Sequence, residues 1–234
     1  MKRAITVVAL LMLAAGTRPS IAQSARPDDQ LNKAVRAGTV GPVYQLPFAS
    51  VGNSIELSIA NTASLPLSKV TVEAAKIPGW IRFMETTQTL PLLKASQELP
   101  VLFTFSVDKT APVRKEESIT FRIVSATGEN WTKEIRVSVA PPERFELFHN
   151  YPNPFNPTTT ISYQLPADSR VNLKVFDLLG REVTTVVDET EPAGYYQKTF
   201  DGTGFSSGMY VYQIVATDEH GNRQVARKAM VLVK

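Results

Sequence analysis

Two histidines, His149 and His220, are the side chains best placed by their ordinary pKa to move a proton near neutral pH. Neither belongs to a spacing that catalysis uses. No His-Glu-x-x-His, Gly-x-Ser-x-Gly, P-loop or dinucleotide fingerprint occurs in the 234 residues. His149 stands beside a proline-rich block and His220 in an "EHGN" turn, so both read as solvated loop residues. The densest acid cluster is "DETE", Asp188 to Glu191. Loop carboxylates can bind calcium, but the alternating Asp/Asn pattern with a turn glycine is missing, and the cluster reads as a solvated loop. There is no cysteine, which excludes a thiol nucleophile, a thiolate metal site, disulfides and a lipid on an N-terminal cysteine. The expectation is a protein that is not an enzyme, with no cofactor and no metal.

Two tryptophans could stack on sugar rings. Trp131 is in phase with Ile135 and Val137 and reads as core. Trp80 is out of phase with Ile81 and Phe83. It either faces solvent as a ligand contact or plugs the end of a sandwich.

The start of the chain carries an address rather than a site. Lys2 and Arg3 precede the apolar run "AITVVALLMLAA", and a short polar stretch leads to "SIAQ". This has the three regions of a secretory signal peptide, with cleavage expected between Ala22 and Gln23. The run is shorter than the roughly 20 apolar residues that span a bilayer. An uncleaved anchor is the alternative reading. No other segment is long and apolar enough to span. Removing residues 1–22 takes away Lys2, Arg3 and Arg18 and leaves 22 basic against 22 acidic residues. A balanced chain lacks the basic footprint of a nucleic-acid partner.

The elements behind these residues are strands. Residues 23–42 are polar and irregular and read as a flexible leader. From Val43 to Ala140, runs such as "SIELSIA", "VLFTFSV" and "SITFRIV" alternate apolar and polar residues, the signature of half-buried strands. About seven strands in roughly 100 residues suit an immunoglobulin-like antiparallel sandwich. "APPE" interrupts the pattern, and residues 141–144 read as a proline linker. A second β pattern fills residues 145–234, with strands at "TTISYQL", "VNLKVFD", "AGYYQKTF", "GMYVYQIVA" and "RQVARKAMVLVK". The last run is apolar in both phases, as in a strand covered on both faces or lying centrally. The fold class is therefore all-β, two tandem antiparallel β-sandwiches.

The block "YPNPFNP", Tyr151-Pro152-Asn153-Pro154-Phe155-Asn156-Pro157, cannot sit inside a central strand. It reads as a stiff cover strip that opens the second domain. Its Tyr151 and Phe155, four apart, could both press on a sandwich face. Its asparagines can bond back to local backbone.

Five motifs in order over about 90 residues carry a resemblance. They are Pro152 to Pro154, the Asp-x-x-Gly-Arg turn of Asp177, Gly180 and Arg181, the pair Asp201-Gly202, the strand start Ser207-Gly208-x-Tyr210, and a basic apolar ending that includes Lys228 and closes on Lys234. Residues 145–234 closely resemble the type A C-terminal sorting domain of the bacterial type IX secretion system. His149 stands where that family often has Gln, and Phe200 where it often has Trp. The resemblance implies export to the periplasm by the Sec translocon, then recognition of the folded domain by an outer-membrane translocon. It also implies a surface peptidase or surface polysaccharide as further partners, and a secreted or cell-surface location. Two other readings stay open. One is an adhesin or carbohydrate-binding module with its own ligand in the first domain. The other is a scaffold similar to flagellar hook-capping proteins, against which the Sec-type signal argues. The basic ending reads equally as an edge guard and as an electrostatic docking strip.

Overall fold

The computed structural model describes residues 5–12 and 41–234, all strand, turn and irregular chain with no helix among them. The Ala22–Gln23 junction and all but the last two residues of the leader lie outside the described residues. Contacts divide the chain into two units between Ala140 and Pro141.

Among the described residues the first unit has nine strands: β1 Ile5–Met12, β2 Val43–Leu46, β3 Asn53–Asn61, β4 Leu67–Lys76, β5 Ile81–Phe83, β6 Thr87–Leu93, β7 Glu98–Val107, β8 Glu116–Val124 and β9 Asn130–Val139. They form a sheet in the order β1-β3-β7-β5 and another in the order β2-β9-β8-β4-β6. Period-two sequence becomes a two-sided strand: Ile55, Leu57 and Ile59 of β3 are buried while Ser54, Glu56 and Ser58 point the other way. One continuous core joins the sheets, with Phe103 and Phe121 at 5.0 Å between ring centroids. β2 pairs parallel with β9, unlike the antiparallel ladders around it.

The structure adds one strand to the sequence reading and decides between the two readings of Trp80. Strand β6 is absent from the sequence reading because Pro91 interrupts it. It lies at a sheet edge, where the ladder passes from Leu90↔Val70 to Leu92↔Ser68 and leaves Pro91 unpaired beside Lys69, whose φ is +47°. Trp80 is 7% exposed and packed in the core, so it is the plug and not a surface platform for a ligand. Within the apolar run near the start, Ile5–Met12 form β1 and pair with β3.

The second unit has seven strands: β10 Glu146–Leu147, β11 Thr158–Leu165, β12 Ser169–Phe176, β13 Glu182–Glu191, β14 Gly194–Asp201, β15 Gly208–Asp218 and β16 Arg223–Leu232. The sheets run β10-β11-β14 and β13-β12-β15-β16 around one core. Tyr212, fully buried, pins the entering chain: its hydroxyl accepts from Asn150 N at 3.0 Å and donates to Phe148 O at 2.9 Å. Burial pushes this phenol up to about 12.

Strand β13 corrects the loop reading of "DETE". Two bulges against β12, at Leu173/Lys174 and Val175/Phe176, shift its register and erase the alternation that would have revealed it. Glu191, at its end, is buried. It accepts from Tyr163 Oη at 2.6 Å and pairs with Lys198 Nζ at 2.7 Å. The desolvated phenol beside that carboxylate has its pKa driven up. A charge among apolar neighbours is tolerated when paired and hydrogen-bonded in this way. The last strand, β16, is an edge strand rather than a central one. Its two apolar phases have separate roles: Met230 and Leu232 enter the core, and Val231 and Val225 lie on the opposite face.

Candidate recognition surface of the second unit

Four of the five motifs build a lock at one end of the sandwich. The arm lies along the edge of β16. Phe155 N donates to Val231 O at 2.9 Å, and Val233 N donates to Phe155 O at 3.0 Å. Asn153 Oδ1 accepts from Val231 N at 3.0 Å, and its Nδ2 reaches Ala229 O at 3.5 Å. That asparagine therefore bonds across to the last strand, not to local backbone. Asn150 makes the local bonds, to Pro152 O and Thr159 Oγ1. Only Phe155 is pressed inward; Tyr151 is 82% exposed. The peptide bonds before Pro152, Pro154 and Pro157 are cis. Pro154 and Asn156 lie on the exposed side of the arm.

The lock has a matching floor. Gly202 N donates to Pro157 O at 2.8 Å. A Cβ on Gly202 would meet Leu232 Cδ2 at 3.0 Å and Phe155 Cε2 at 3.1 Å. Asp201 Oδ1 shapes the approach by accepting from Thr203 N and Oγ1. Phe155 packs edge-on to Phe200, which stacks on Phe205. Tyr210 is buried and donates to Ser206 O at 2.7 Å. Beside it, Ser207 Oγ accepts from Lys234 N, and Lys234 Nζ donates to Thr203 O at 2.7 Å. Gly208 opens β15 opposite Leu232. Lys228 Nζ sits 3.2 Å from His149 Nε2. The end of the chain is thus tied at several points. Gly202→Ala is expected to destabilise the second unit by about 1–3 kcal/mol through overpacking, read as an earlier denaturation midpoint. Both neighbours are buried core side chains, so the added methyl must displace one of them.

The fifth motif does something different. In the β12–β13 turn, Gly180 N bonds Asp177 O and Asp177 N bonds Arg181 O. Asp177 Oδ1 accepts from Leu179 N and Arg181 N, and Oδ2 from Arg181 Nε at 2.7 Å. Gly180 takes φ +78°, which glycine allows without strain. The β15–β16 turn repeats this construction with Asp218, Gly221 and Asn222. Its two middle residues are Glu219 and His220, whereas the first turn carries Leu178 and Leu179, 69% and 79% exposed. The turn needs its aspartate and glycine and does not need leucines.

The leucines adjoin an apolar stretch on the outer face of the four-stranded sheet. Phe176, Val211 and Ala229 stand in one row across β12, β15 and β16, with Met209 and Val231 in the next. Outward faces of antiparallel sheets are ordinarily polar. A groove of about 330 Å³ opens there between Phe176, Leu178, Val211 and Arg227, the last paired with neutral Gln213.

The turn carboxylates set a pH limit. Hydrogen bonds from Arg181 hold Asp177, and those from Asn222 hold Asp218, below the usual carboxylate range. Lys174 and Thr185 do the same for Glu182, and Thr203 for Asp201. Depressed folded pKa values add stability that is complete above the unfolded value of about 4 and is lost as pH falls through the folded value. Melting temperature should therefore be flat across the neutral range and decline below about pH 4. Asp177→Asn should reduce the part of the decline that comes from this turn.

The second unit is thus an antiparallel sandwich with a tied-down last strand and an exposed apolar turn. Residues 149–231, within the second unit, match the family model described as a secretion system C-terminal sorting domain. The match covers about a third of the chain. No curated protein matches the chain. Among solved structures, the chain is similar to dimeric latent PorU from Porphyromonas gingivalis, at 12% identity and TM-score 0.33, over 90% of this chain and 21% of that one. It is also similar to the YadV chaperone, at 10% identity and TM-score 0.29, over 81% and 98%. VesC, a secreted serine protease from Vibrio cholerae, aligns at 11% identity and TM-score 0.29, over 87% and 52%. The chain spans about a fifth of the length of the first of these. Among the described residues, no helix is long and apolar enough to cross a membrane.

Proposed function

We propose that this is an exported, non-enzymatic protein whose second unit directs it across the outer membrane through the type IX secretion system. The Sec translocon takes the chain to the periplasm and the signal peptide is removed after Ala22. The second unit then docks on the outer-membrane translocon, and the first unit is the cargo, released or held at the surface. The observation that carries this reading is the match of residues 149–231 to the sorting family. The exposed Leu178–Leu179 turn and the apolar face beside it are the surface assigned to docking. A surface peptidase and surface polysaccharide are the further partners of this route.

The test fuses residues 143–234 behind a signal peptide and a reporter in a strain with a working type IX system. The reporter is expected outside the cell or on its surface. A reporter retained in the periplasm overturns the reading.

A further inference from the structure

Strand β1 carries a consequence for the mature protein. It lies on the outer side of β3 and pairs with it antiparallel from Ile5↔Asn61 to Met12↔Ser54. Ile5 and Val7 pack against the first core. This same segment belongs to the signal peptide that the proposed function removes. Once it is gone, β3 becomes the edge of its sheet, with unpaired backbone groups along its length.

Natural edges are guarded by lysine, proline, a bulge or shortness. β3 has none of these. It is nine residues long and contains neither lysine nor proline, and its register with β7 runs from Asn53↔Phe105 to Ala60↔Glu98 without a shift. Its sequence is also nearly palindromic about Leu57: Asn53-Ser54-Ile55-Glu56-Leu57-Ser58-Ile59-Ala60-Asn61. Two copies paired antiparallel about Leu57 put Asn53 opposite Asn61, Ile55 opposite Ile59 and Leu57 opposite itself. On the other face Ser54 meets Ala60 and Glu56 meets Ser58. No like charges stand directly opposed; the two Glu56 side chains lie on a diagonal, where cross-strand coupling is weaker. A self-complementary patch about a two-fold axis is the requirement for an isologous dimer.

We infer that the mature protein dimerises through β3, the two copies joining as one continuous sheet β5-β7-β3-β3-β7-β5. In the precursor, β1 occupies the same edge and keeps the chain monomeric. The inference rests on the proposed removal of residues 1–22. The intact mass of the exported protein checks that removal separately.

Sedimentation of two purified proteins tests the pairing: the chain from Met1 and the chain beginning at Gln23. The shorter chain is expected at twice its monomer mass and the longer one at its monomer mass. Ser54→Lys with Ala60→Lys puts lysine opposite lysine at both ends of the pairing. It should return the shorter chain to monomer while leaving it folded, with a single cooperative melting transition. The protein has no cysteine, so Ser54→Cys with Ala60→Cys reports register by cross-linking two copies under oxidation. A shorter chain that is monomeric, that aggregates with or without the lysines, or that dimerises despite them overturns the inference. So does a cysteine pair that fails to cross-link.

Discussion

Phe155→Ala lowers the stability of the second unit by about 3–5 kcal/mol, the range for emptying a buried phenylalanine site. The ring is 2% exposed and sits against Phe200 and Leu232. Its backbone also joins the arm to β16 through the two bonds with Val231 and Val233. Losing the ring therefore removes apolar contact and loosens the register of the arm. Denaturant unfolding of the full chain should show the second unit's transition moving to lower denaturant while the first unit's stays. Hydrogen exchange should rise most at Val231 and Val233. An unchanged transition would mean that the arm is a spacer and not part of the fold. On the route proposed above, which takes the domain folded, export should fall in step with the folded fraction.

Leu178→Glu with Leu179→His separates recognition from folding. The double substitution gives the β12–β13 turn the two middle residues of the β15–β16 turn, which has the same aspartate and glycine geometry. Surface changes of this kind ordinarily alter stability by no more than about 0.5 kcal/mol. If the two leucines are buried on docking, each is worth about 1.5–3 kcal/mol. Even the lower end summed is about 3 kcal/mol, or two orders of magnitude in a binding constant. Export of the full chain should fall by about that factor, with the melting temperature unchanged. Normal export with both leucines replaced would move the docking surface elsewhere on the domain.

These two substitutions also separate what was legible in the sequence from what was not. Strict alternation exposed β3, β7, β8, β11, β12 and β15, because each buries one face and solvates the other. β13 escaped because two bulges change its phase. β6 escaped because a proline is tolerated at an edge that no local pattern marks. Trp80 stayed open and "DETE" was read as a loop for a shared reason: local phase cannot report what arrives from elsewhere in the chain. Glu191 is a solvated acid by its neighbours in sequence and a buried one beside Tyr163 and Lys198.

The sequence alone determined the all-β class, because a period of two dictates which residues a strand can bury. It also determined the five motifs and their order, and through them the sorting family. Only the tertiary structure decided what each motif is for. Gly202 is bare because Phe155 and Leu232 close on it from segments 47 and 30 residues away in the chain. Leu178 and Leu179 are free because their turn closes on the aspartate beside them and asks nothing of their side chains. A motif constrained by packing and a motif left to a partner look alike in one dimension. They differ only in what surrounds them once the chain has closed.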